Sequence, residues 1–267
     1  MLQTAYEACP LCNGPFNSLG KADCTSHALF HDDLPKTIQW CQCQNCSHVF
    51  TDRYWTSAGL EVVFRNAHDN QQIDIRRLDA KRAIWLPVVE RAVNLLGGYG
   101  DALLQDTPSA WLDVGCGDGS LVMTASDIGF NAMGLDARQD SVQKLKQFGI
   151  QVYQGNFTSV NVNGQVQVLS MMDVLEHMAY PRQALQKAQS VLTKGGLLIV
   201  SLPDLGSSVW RLLNQANANP YWGEIEHHHN FSRERLFTLL HQEGFKVIDA
   251  TIPNRYKAQI EVYASKV

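Results

Sequence analysis

Two pairs of cysteines in the first 46 residues have the spacing of metal ligands. Cys9 and Cys12 form one C-x-x-C, and Cys43 and Cys46 form the other. A small or polar dipeptide follows each pair, so a tight turn can point backbone amides at the sulfurs. Four thiolates suit tetrahedral zinc, and the sequence therefore predicts a structural zinc site. Four other side chains of this segment could compete as ligands: Cys24, Cys41, His27 and His31.

A glycine-rich loop and its neighbouring acids form a second candidate site. The loop, GCGDG at residues 115–119, follows one apolar stretch, and Asp136 ends the next. Glycines let a ligand approach the backbone, and open α/β sheets bind ligands beyond the carboxyl ends of their strands. Asp113 and Asp118 would repel a pyrophosphate but suit a ligand that carries an ammonium group. The pattern therefore favours S-adenosylmethionine over a dinucleotide, with Asp136 on the ribose hydroxyls.

Histidines supply the candidates for proton transfer. His177 follows the fourth of the strands predicted below, and His227, His228 and His229 form a run. Histidine titrates near neutral pH, so it is the natural base for an acceptor that must lose a proton. We take His177, His228 and His229 as candidate catalytic residues. Two alternatives remain, in which His177 caps a turn or the run binds a second metal ion together with Glu226.

Alternating strands and helices would position these groups. The predicted strands are short apolar segments at 110–114, 131–135, 151–153, 166–171, 197–202, 247–248 and 260–264. Asp140 and Ser232 are predicted to cap two of the intervening helices, and Pro181 is predicted to lie in the first turn of another. This order predicts an α/β fold with a doubly wound, mostly parallel sheet.

The chain divides into three predicted parts. A zinc ribbon occupies residues 1–56, a helical linker follows at 57–108, and the sheet domain occupies 109–267. Domains average about 150 residues, so a chain of 267 residues has room for between one and two domains. One full domain with a small ribbon and a linker agrees with that length.

Composition excludes several classes of function. The formal net charge is −4, which gives no general attraction to nucleic acid or to anionic lipid. Residues 1–56 carry three basic and five acidic side chains, so the ribbon is a poor clamp for RNA. No apolar run reaches the roughly 20 residues that a bilayer crossing needs, and the N-terminus does not resemble a signal peptide. We therefore expect a soluble, cytoplasmic protein that acts on a small molecule.

Five motifs, in the same order, resemble those of the class I S-adenosylmethionine-dependent methyltransferases, and of their ubiquinone-type O-methyltransferase subgroup in particular. The motifs are LDVGCGDG (112–119), GLDA (134–137), VLSMMDVLEHM (168–178), LTKGGLLIVSLP (192–203) and EHHHNFSRERLFTLLHQEGFKVI (226–248). CPLC and QCQNCSHVFTD resemble the zinc ribbon that precedes some such enzymes, sugar-modifying ones among them. The resemblance implies a seven-stranded sheet.

The resemblance also implies one set of cofactor-binding residues. They are Asp113, Gly115, Cys116 and Gly117 around the methionine part, Asp136 at the ribose, Ala137, Asn156 and Phe157 at the adenine, and Met172 beside the methyl group. Many relatives carry Asp where Asn156 stands, so this contact with the adenine amine loses its charge assistance.

The function implied is methyl transfer from S-adenosylmethionine to a small polar metabolite. O-methylation is the default, C- and N-methylation stay open, and a sugar-like acceptor rests on the ribbon-bearing relatives alone. One alternative is an rRNA or tRNA methyltransferase whose ribbon holds RNA. The other is a scaffold that binds the cofactor without turnover.

Overall fold

The structure, a computed structural model, describes residues 1–65, 78–103, 109–255 and 258–267. Its strands are β1 (Gln3–Ala5), β2 (Phe16–Asp23), β3 (Thr37–Cys43), β4 (Val49–Thr51), β5 (Arg53–Trp55), β6 (Ala110–Val114), β7 (Asn131–Asp136), β8 (Val152–Gln154), β9 (Val166–Met172), β10 (Leu192–Pro203), β11 (His229–Asn230), β12 (Phe245–Thr251) and β13 (Gln259–Lys266). Its α-helices are α1 (Ser57–Val63), α2 (Leu78–Leu95), α3 (Tyr99–Leu103), α4 (Ser120–Ile128), α5 (Gln139–Gln147), α6 (Pro181–Val191), α7 (Ser208–Gln215) and α8 (Arg233–Gln242). The predicted helical linker lies partly outside the described residues.

Seven strands form the central sheet, in the order β12-β13-β10-β9-β6-β7-β8. Five neighbouring strands of this sheet run parallel to one another: β10, β9, β6, β7 and β8. Strand β13 runs antiparallel to both of its neighbours, β12 and β10. Strands β9 and β10 are buried over most of their length, as expected where helices cover both faces of a parallel sheet. The predicted α/β fold with a mostly parallel, seven-stranded sheet is therefore confirmed.

Two of the three predicted helix-start signals are confirmed. The hydroxyl of Ser232 accepts a hydrogen bond from the N–H of Arg235 at the start of α8, and Pro181 lies in the first turn of α6. The prediction for Asp140 is wrong, because Arg138 holds the N-cap position of α5 without a side-chain cap. Asp140 lies in the first turn instead, where a carboxylate still interacts favourably with the helix dipole.

Two hydrophobic clusters hold the sheet between its neighbours. On one face, Val89 and Val93 of α2 belong to the same buried cluster as Trp111 of β6. The other cluster joins the sheet domain to the N-terminal segment, since it contains Tyr6 and Phe50 as well as residues of α6 and α8. Among the described helices, none combines the length and apolarity that a bilayer crossing requires.

The N-terminal segment forms a sheet that the rest of the chain completes. This four-stranded sheet has the order β11-β4-β3-β2, so a strand from the C-terminal part pairs with β4. The indole N–H of Trp40 donates to the carbonyl of Trp222, and that of Trp55 donates to the carbonyl of Ile225, each at 2.8 Å. The two parts are thus joined by backbone pairing, side-chain hydrogen bonds and a shared core.

Candidate functional site

The glycine-rich loop lies at the carboxyl end of β6, where the chain turns into α4. Gly115, Gly117 and Gly119 have φ angles of 71°, 57° and 76°, a region that favours glycine. A Cβ atom on Gly115 would lie 2.6 Å from Cγ2 of Val174, so the loop backbone passes close to the segment after β9. The N–H of Gly115 donates to the carbonyl of Leu135 at 2.7 Å, which fixes the loop against β7.

Asp136 lies beside this loop because β6 and β7 are parallel neighbours. Its carboxylate is 4% exposed and accepts hydrogen bonds from the N–H of Gly117 (2.9 Å), the N–H of Arg138 (2.9 Å) and the Arg138 guanidinium (3.0 Å). Ala137, the next residue, is exposed. The structure thus brings together the loop and the acid that the sequence singles out.

Asp113 is buried beneath the loop. The hydroxyl of Ser170 donates to its carboxylate at 2.6 Å, and Ser170 in turn accepts from the indole N–H of Trp111. Burial, together with the nearby carboxylates of Asp136 and Asp118, raises the pKa of Asp113 to about 7, against the lowering effect of the hydrogen bond from Ser170. This carboxyl group therefore changes its charge near neutral pH.

The other predicted cofactor residues differ in exposure. Asn156 is exposed, and its amide oxygen accepts from the N–H (3.0 Å) and the hydroxyl (2.9 Å) of Thr158. Phe157 and Met172 are buried and belong to the hydrophobic clusters, and the Cys116 thiol is buried at 6% exposure. Asn156 and Ala137 are therefore open to solvent in this set, while Phe157, Met172 and Cys116 are not.

Glu176, His177 and His227 come together beyond the carboxyl end of β9. A 3₁₀ turn (Leu175–His177) follows this strand, and the N–H of His228 donates to the carbonyl of Glu176 at 2.9 Å. The rings of His177 and His227 are 4.7 Å apart between centroids and nearly perpendicular. One ligand atom from each of Glu176, His177 and His227 lies within 4.8 Å of the others.

The three histidines predicted as catalytic have different surroundings. His177 faces His227, as described above. His229 has both ring nitrogens engaged, Nδ1 with His48 Nε2 at 3.0 Å and Nε2 with the carbonyl of Met178 at 2.9 Å, and burial lowers its pKa to about 3. His228 is 2% exposed and lines a cavity. The structure therefore separates the three candidates rather than gathering them.

That cavity has a volume of about 520 Å³ and lies between the N-terminal sheet and the segment at 225–228. Small-molecule sites commonly have volumes of about 300–1,000 Å³, so this space suits a metabolite. Its wall combines both charges with aromatic and imidazole groups: Lys21, Asp52, Arg53, Trp55, His227 and His228. The lining favours a small polar ligand.

Sequence reasoning missed Glu176 and His227 as members of one cluster. A signal was present, because the dipeptide Glu-His occurs at 176–177 and again at 226–227. Only the return of the chain to the end of β9 brings the two dipeptides together.

The four predicted zinc ligands also come together. The sulfurs of Cys9 and Cys46 are 3.7 Å apart, those of Cys12 and Cys43 are 3.4 Å apart, and all four lie within 4.8 Å of one another. Thiolates on one tetrahedral zinc ion are separated by about 3.8 Å, since Zn–S bonds are about 2.3 Å. The donor set and its spacing therefore fit zinc.

Matching turns close both cysteine pairs. Asn13 and Ser47 have φ angles of 59° and 58°, and their N–H groups donate to the carbonyls of Cys9 and Cys43 at 2.9 and 3.0 Å. Burial opposes ionisation of the Cys43 thiol, but hydrogen bonds from backbone N–H groups and from Cys12 lower its pKa to about 7. Hydrogen bonding thus favours the thiolate form at Cys43, whereas burial raises the pKa of Cys9 and raises that of Cys46 to about 11.

The competing ligands are engaged elsewhere. The thiol of Cys24 donates to the carbonyl of Pro35 at 3.1 Å, and Nε2 of His27 lies 2.7 Å from a Glu224 oxygen. Of the described residues, the cluster at this position contains the four predicted cysteines, without Cys24, Cys41, His27 or His31.

Comparison with known proteins places the chain in a class. The magnesium protoporphyrin IX methyltransferase of Synechocystis PCC 6803, solved with bound S-adenosylhomocysteine, is 15% identical, with a TM-score of 0.59 over 79% of this chain and 100% of that chain. A Clostridium acetobutylicum S-adenosylmethionine-dependent methyltransferase is 13% identical, with a TM-score of 0.54 over 76% of this chain and 98% of that chain. At these identities the likeness defines the fold alone, which is that of the class I methyltransferases.

Sequence comparison goes further. A methyltransferase-domain family model matches residues 86–250, and the chain belongs to that family. The protein is thus an S-adenosylmethionine-dependent methyltransferase. The ubiquinone biosynthesis O-methyltransferase of Ruegeria sp. (strain TM1040) is 27% identical over 170 residues, which cover 58% of this chain and 69% of the relative.

Proposed function

We propose that this enzyme methylates an oxygen of a small polar metabolite, with a sugar-like molecule as the preferred kind of acceptor. The observation that carries the proposal is the polar cavity beside His227 and His228, which adjoins the turn that follows β9. Similarity to an O-methyltransferase supports oxygen as the acceptor atom. The mixed charges of the cavity wall support an acceptor with several hydroxyl groups or a charged substituent.

The cofactor would lie across the carboxyl ends of β6 and β7. Asp113, Gly115 and Gly117 would face its methionine part, because the carboxylates of Asp113, just before the loop, and of Asp118, within it, attract an ammonium group. Asp136 would accept hydrogen bonds from the ribose hydroxyls, which requires the Arg138 guanidinium to leave that carboxylate.

The adenine end of the cofactor would lie among residues that differ in exposure. Ala137 and Asn156 are open to solvent and would contact the base directly, whereas Phe157 would support it from the core. Met172 would line the wall near the methyl group, and Cys116 would support the loop from below.

When bound, S-adenosylmethionine supplies an electrophilic methyl carbon with a neutral thioether as the leaving group. The protein therefore mainly has to position the acceptor and exclude water. We assign proton removal to His228, because it lines the cavity and, among the residues that the structure describes, neither of its ring nitrogens is hydrogen-bonded as those of His229 are. His177 would position the acceptor, and His229 would join the ribbon to the catalytic domain.

The four cysteines would hold a structural zinc ion, which would stabilise a segment with a small core of its own. We propose that the ribbon (1–56), the helical segment (57–108) and the methyltransferase domain (109–267) act as one unit. In this arrangement the ribbon forms one wall of the acceptor site.

A panel of hydroxyl-bearing metabolites, nucleotide-linked sugars among them, tests this function. The assay measures release of S-adenosylhomocysteine. The ¹³C NMR chemical shift of the new methyl group in the product distinguishes O- from C- or N-methylation. Arg53→Gln, in the cavity wall, is expected to raise the acceptor KM and leave the cofactor KM unchanged. Arg65→Gln, outside the wall, is the matched control.

Two outcomes would contradict the proposal. Methylation of RNA, with retention on RNA that falls steeply with salt, would assign the ribbon to nucleic acid. Cofactor binding without turnover across the whole panel would indicate a scaffold.

A further inference from the structure

We propose that Glu176, His177 and His227 form a second metal site, which takes a divalent transition-metal ion of the zinc type and is separate from the four cysteines. The three side chains come from two segments that are distant in sequence, the turn after β9 and the irregular stretch just before β11. Their ligand atoms lie within 4.8 Å of one another.

The carboxylate of Glu176 is the first observation. It is 1% exposed, and neither of its oxygens has a hydrogen-bond partner among the described residues. An unpaired buried carboxylate is costly, so native proteins normally pair it or use it to bind metal. A divalent cation between Glu176 and the two imidazoles would supply the missing partner.

The orientation of the histidines is the second observation. Nδ1 of His177 lies 3.1 Å from the carbonyl oxygen of Glu226, so the N–H belongs on Nδ1 and the lone pair on Nε2. A backbone carbonyl that fixes the tautomer in this way is the usual arrangement around metal-binding histidines. Nδ1 of His227 is buried and, among the described residues, has no partner, so a second nitrogen is available.

A neighbouring cluster shows the contrast. His27 lies 2.7 Å from Glu224 and 3.4 Å from Glu226, which gives these groups an ion pair of their own. That arrangement already pairs the imidazole of His27 with both carboxylates. The cluster of Glu176, His177 and His227 has no such internal pairing, and its two imidazoles meet edge to face instead.

The donor set indicates both the metal and its task. Two imidazoles and one carboxylate suit zinc and related first-row ions, and three protein ligands leave coordination positions open, as in catalytic sites. His227 also lines the cavity, so the open positions would face the acceptor. This role rests on the proposed function: the ion would bind the acceptor hydroxyl and lower its pKa, and His228 would take the proton.

In that step the acceptor oxygen forms a bond to the methyl carbon while the carbon–sulfur bond breaks. The electron pair of that bond stays on sulfur, and the proton of the hydroxyl goes to His228. The metal would acidify the hydroxyl, so that its proton leaves more readily for the buried imidazole of His228.

Metal stoichiometry of the full-length protein tests the site without measuring activity. We expect two zinc ions per chain in the wild type and one in Glu176→Gln or His227→Gln. Loss of a group that only hydrogen-bonds a metal ligand reduces metal affinity by up to ~100-fold, so loss of a ligand itself should reduce zinc affinity at the second site by more than that. His241→Gln, which removes a surface histidine, is the matched control and should keep both ions. Binding of S-adenosylhomocysteine, unchanged from the wild type, shows that each variant is folded.

Cobalt(II) titration of the wild type gives an answer that needs no variant. The thiolate-to-cobalt charge-transfer absorption in the near ultraviolet reports the four-cysteine site and should saturate at one equivalent of cobalt per chain. The visible absorption reports cobalt at both sites and should continue to rise up to two equivalents. A single equivalent by both methods, or a second ion that Glu176→Gln retains at full affinity, would overturn the proposal. If the wild type does not bind S-adenosylhomocysteine, the proposed function is refuted, but the metal stoichiometry still tests the second metal site.

Discussion

Replacing Asp136 by Asn tests whether the end of β7 holds the cofactor's ribose. The substitution preserves the shape of the side chain but removes its charge. The carboxylate now accepts from Gly117 and from both the N–H and the guanidinium of Arg138, so its oxygens are already arranged as acceptors. Asparagine keeps one acceptor oxygen and presents an N–H₂ group where the other oxygen stood.

The magnitude follows from these contacts. Hydrogen bonds to a charged group contribute about 1.5–3 kcal/mol each. The Asp136→Asn substitution would leave two of the hydrogen bonds to this side chain without charge assistance, and it would remove the acceptor oxygen from one more. In the wild type, the ribose must displace the Arg138 guanidinium from Asp136, and this cost offsets part of the binding free energy that the ribose hydrogen bonds contribute. We therefore expect binding of S-adenosylhomocysteine to weaken by about 2–3 kcal/mol, or about 30- to 150-fold in Kd.

Isothermal titration calorimetry at constant ionic strength measures this change. Asp127→Asn is the matched control, because it removes an equally charged but half-exposed carboxylate that pairs with Arg82 on the surface. Near-ultraviolet circular dichroism checks that both variants keep the native packing. A Kd for Asp136→Asn within about threefold of the wild type would refute the assignment of the ribose to this strand end, as would tight binding of a nicotinamide dinucleotide.

Three further predictions concern zinc, pH and packing. Cys43→Ser should remove the ribbon's zinc ion and lower Tm, as elemental analysis and thermal unfolding would show, whereas Cys41→Ser should retain the ion because that thiol lies outside the cluster. Asp113 has a pKa of about 7 in the folded state against an ordinary value of 3.8, so it binds its proton more tightly when folded and its contribution to stability falls as pH rises from about 4 to 7. Urea unfolding at pH 5 and pH 8 should show a smaller difference for Asp113→Asn than for the wild type, and equal differences would contradict this. Gly134→Ala should cost about 1–3 kcal/mol of unfolding free energy, because its Cβ would lie 2.6 Å from the Cys116 sulfur, and Cys116→Ala should recover part of that loss.

The sheet could be predicted because its strands are local apolar segments and its helices carry local end signals. Pro181 and Ser232 act within one turn of their own positions, so the sequence alone is sufficient for them. Asp140 fails as a cap because the backbone of Arg138 already turns into the helix two residues earlier. Strand β2 was missed because most of its residues are exposed, so it lacks the alternating apolar pattern that marks a half-buried strand.

The two sites differ in how much of their geometry is local. Each C-x-x-C fixes two ligands within one turn, and the donor chemistry then indicates the rest. Glu176 and His227 are separated by the whole of α6, β10 and α7, so their meeting depends on how β11 docks against the turn after β9. Periodicity and spacing carry no information about such a contact, which is why the histidine run could not be divided into separate roles from the sequence.

Strand β11 also has a consequence for synthesis of the chain. His48 and its partner His229 are 181 positions apart, so the ribbon emerges from the ribosome long before the strand that completes its sheet. At about 5–20 residues per second, this interval is on the order of ten to forty seconds. Throughout that time the free edge of β4 is available to other chains, and early capture of zinc would be the nascent segment's means of staying ordered until its last strand arrives.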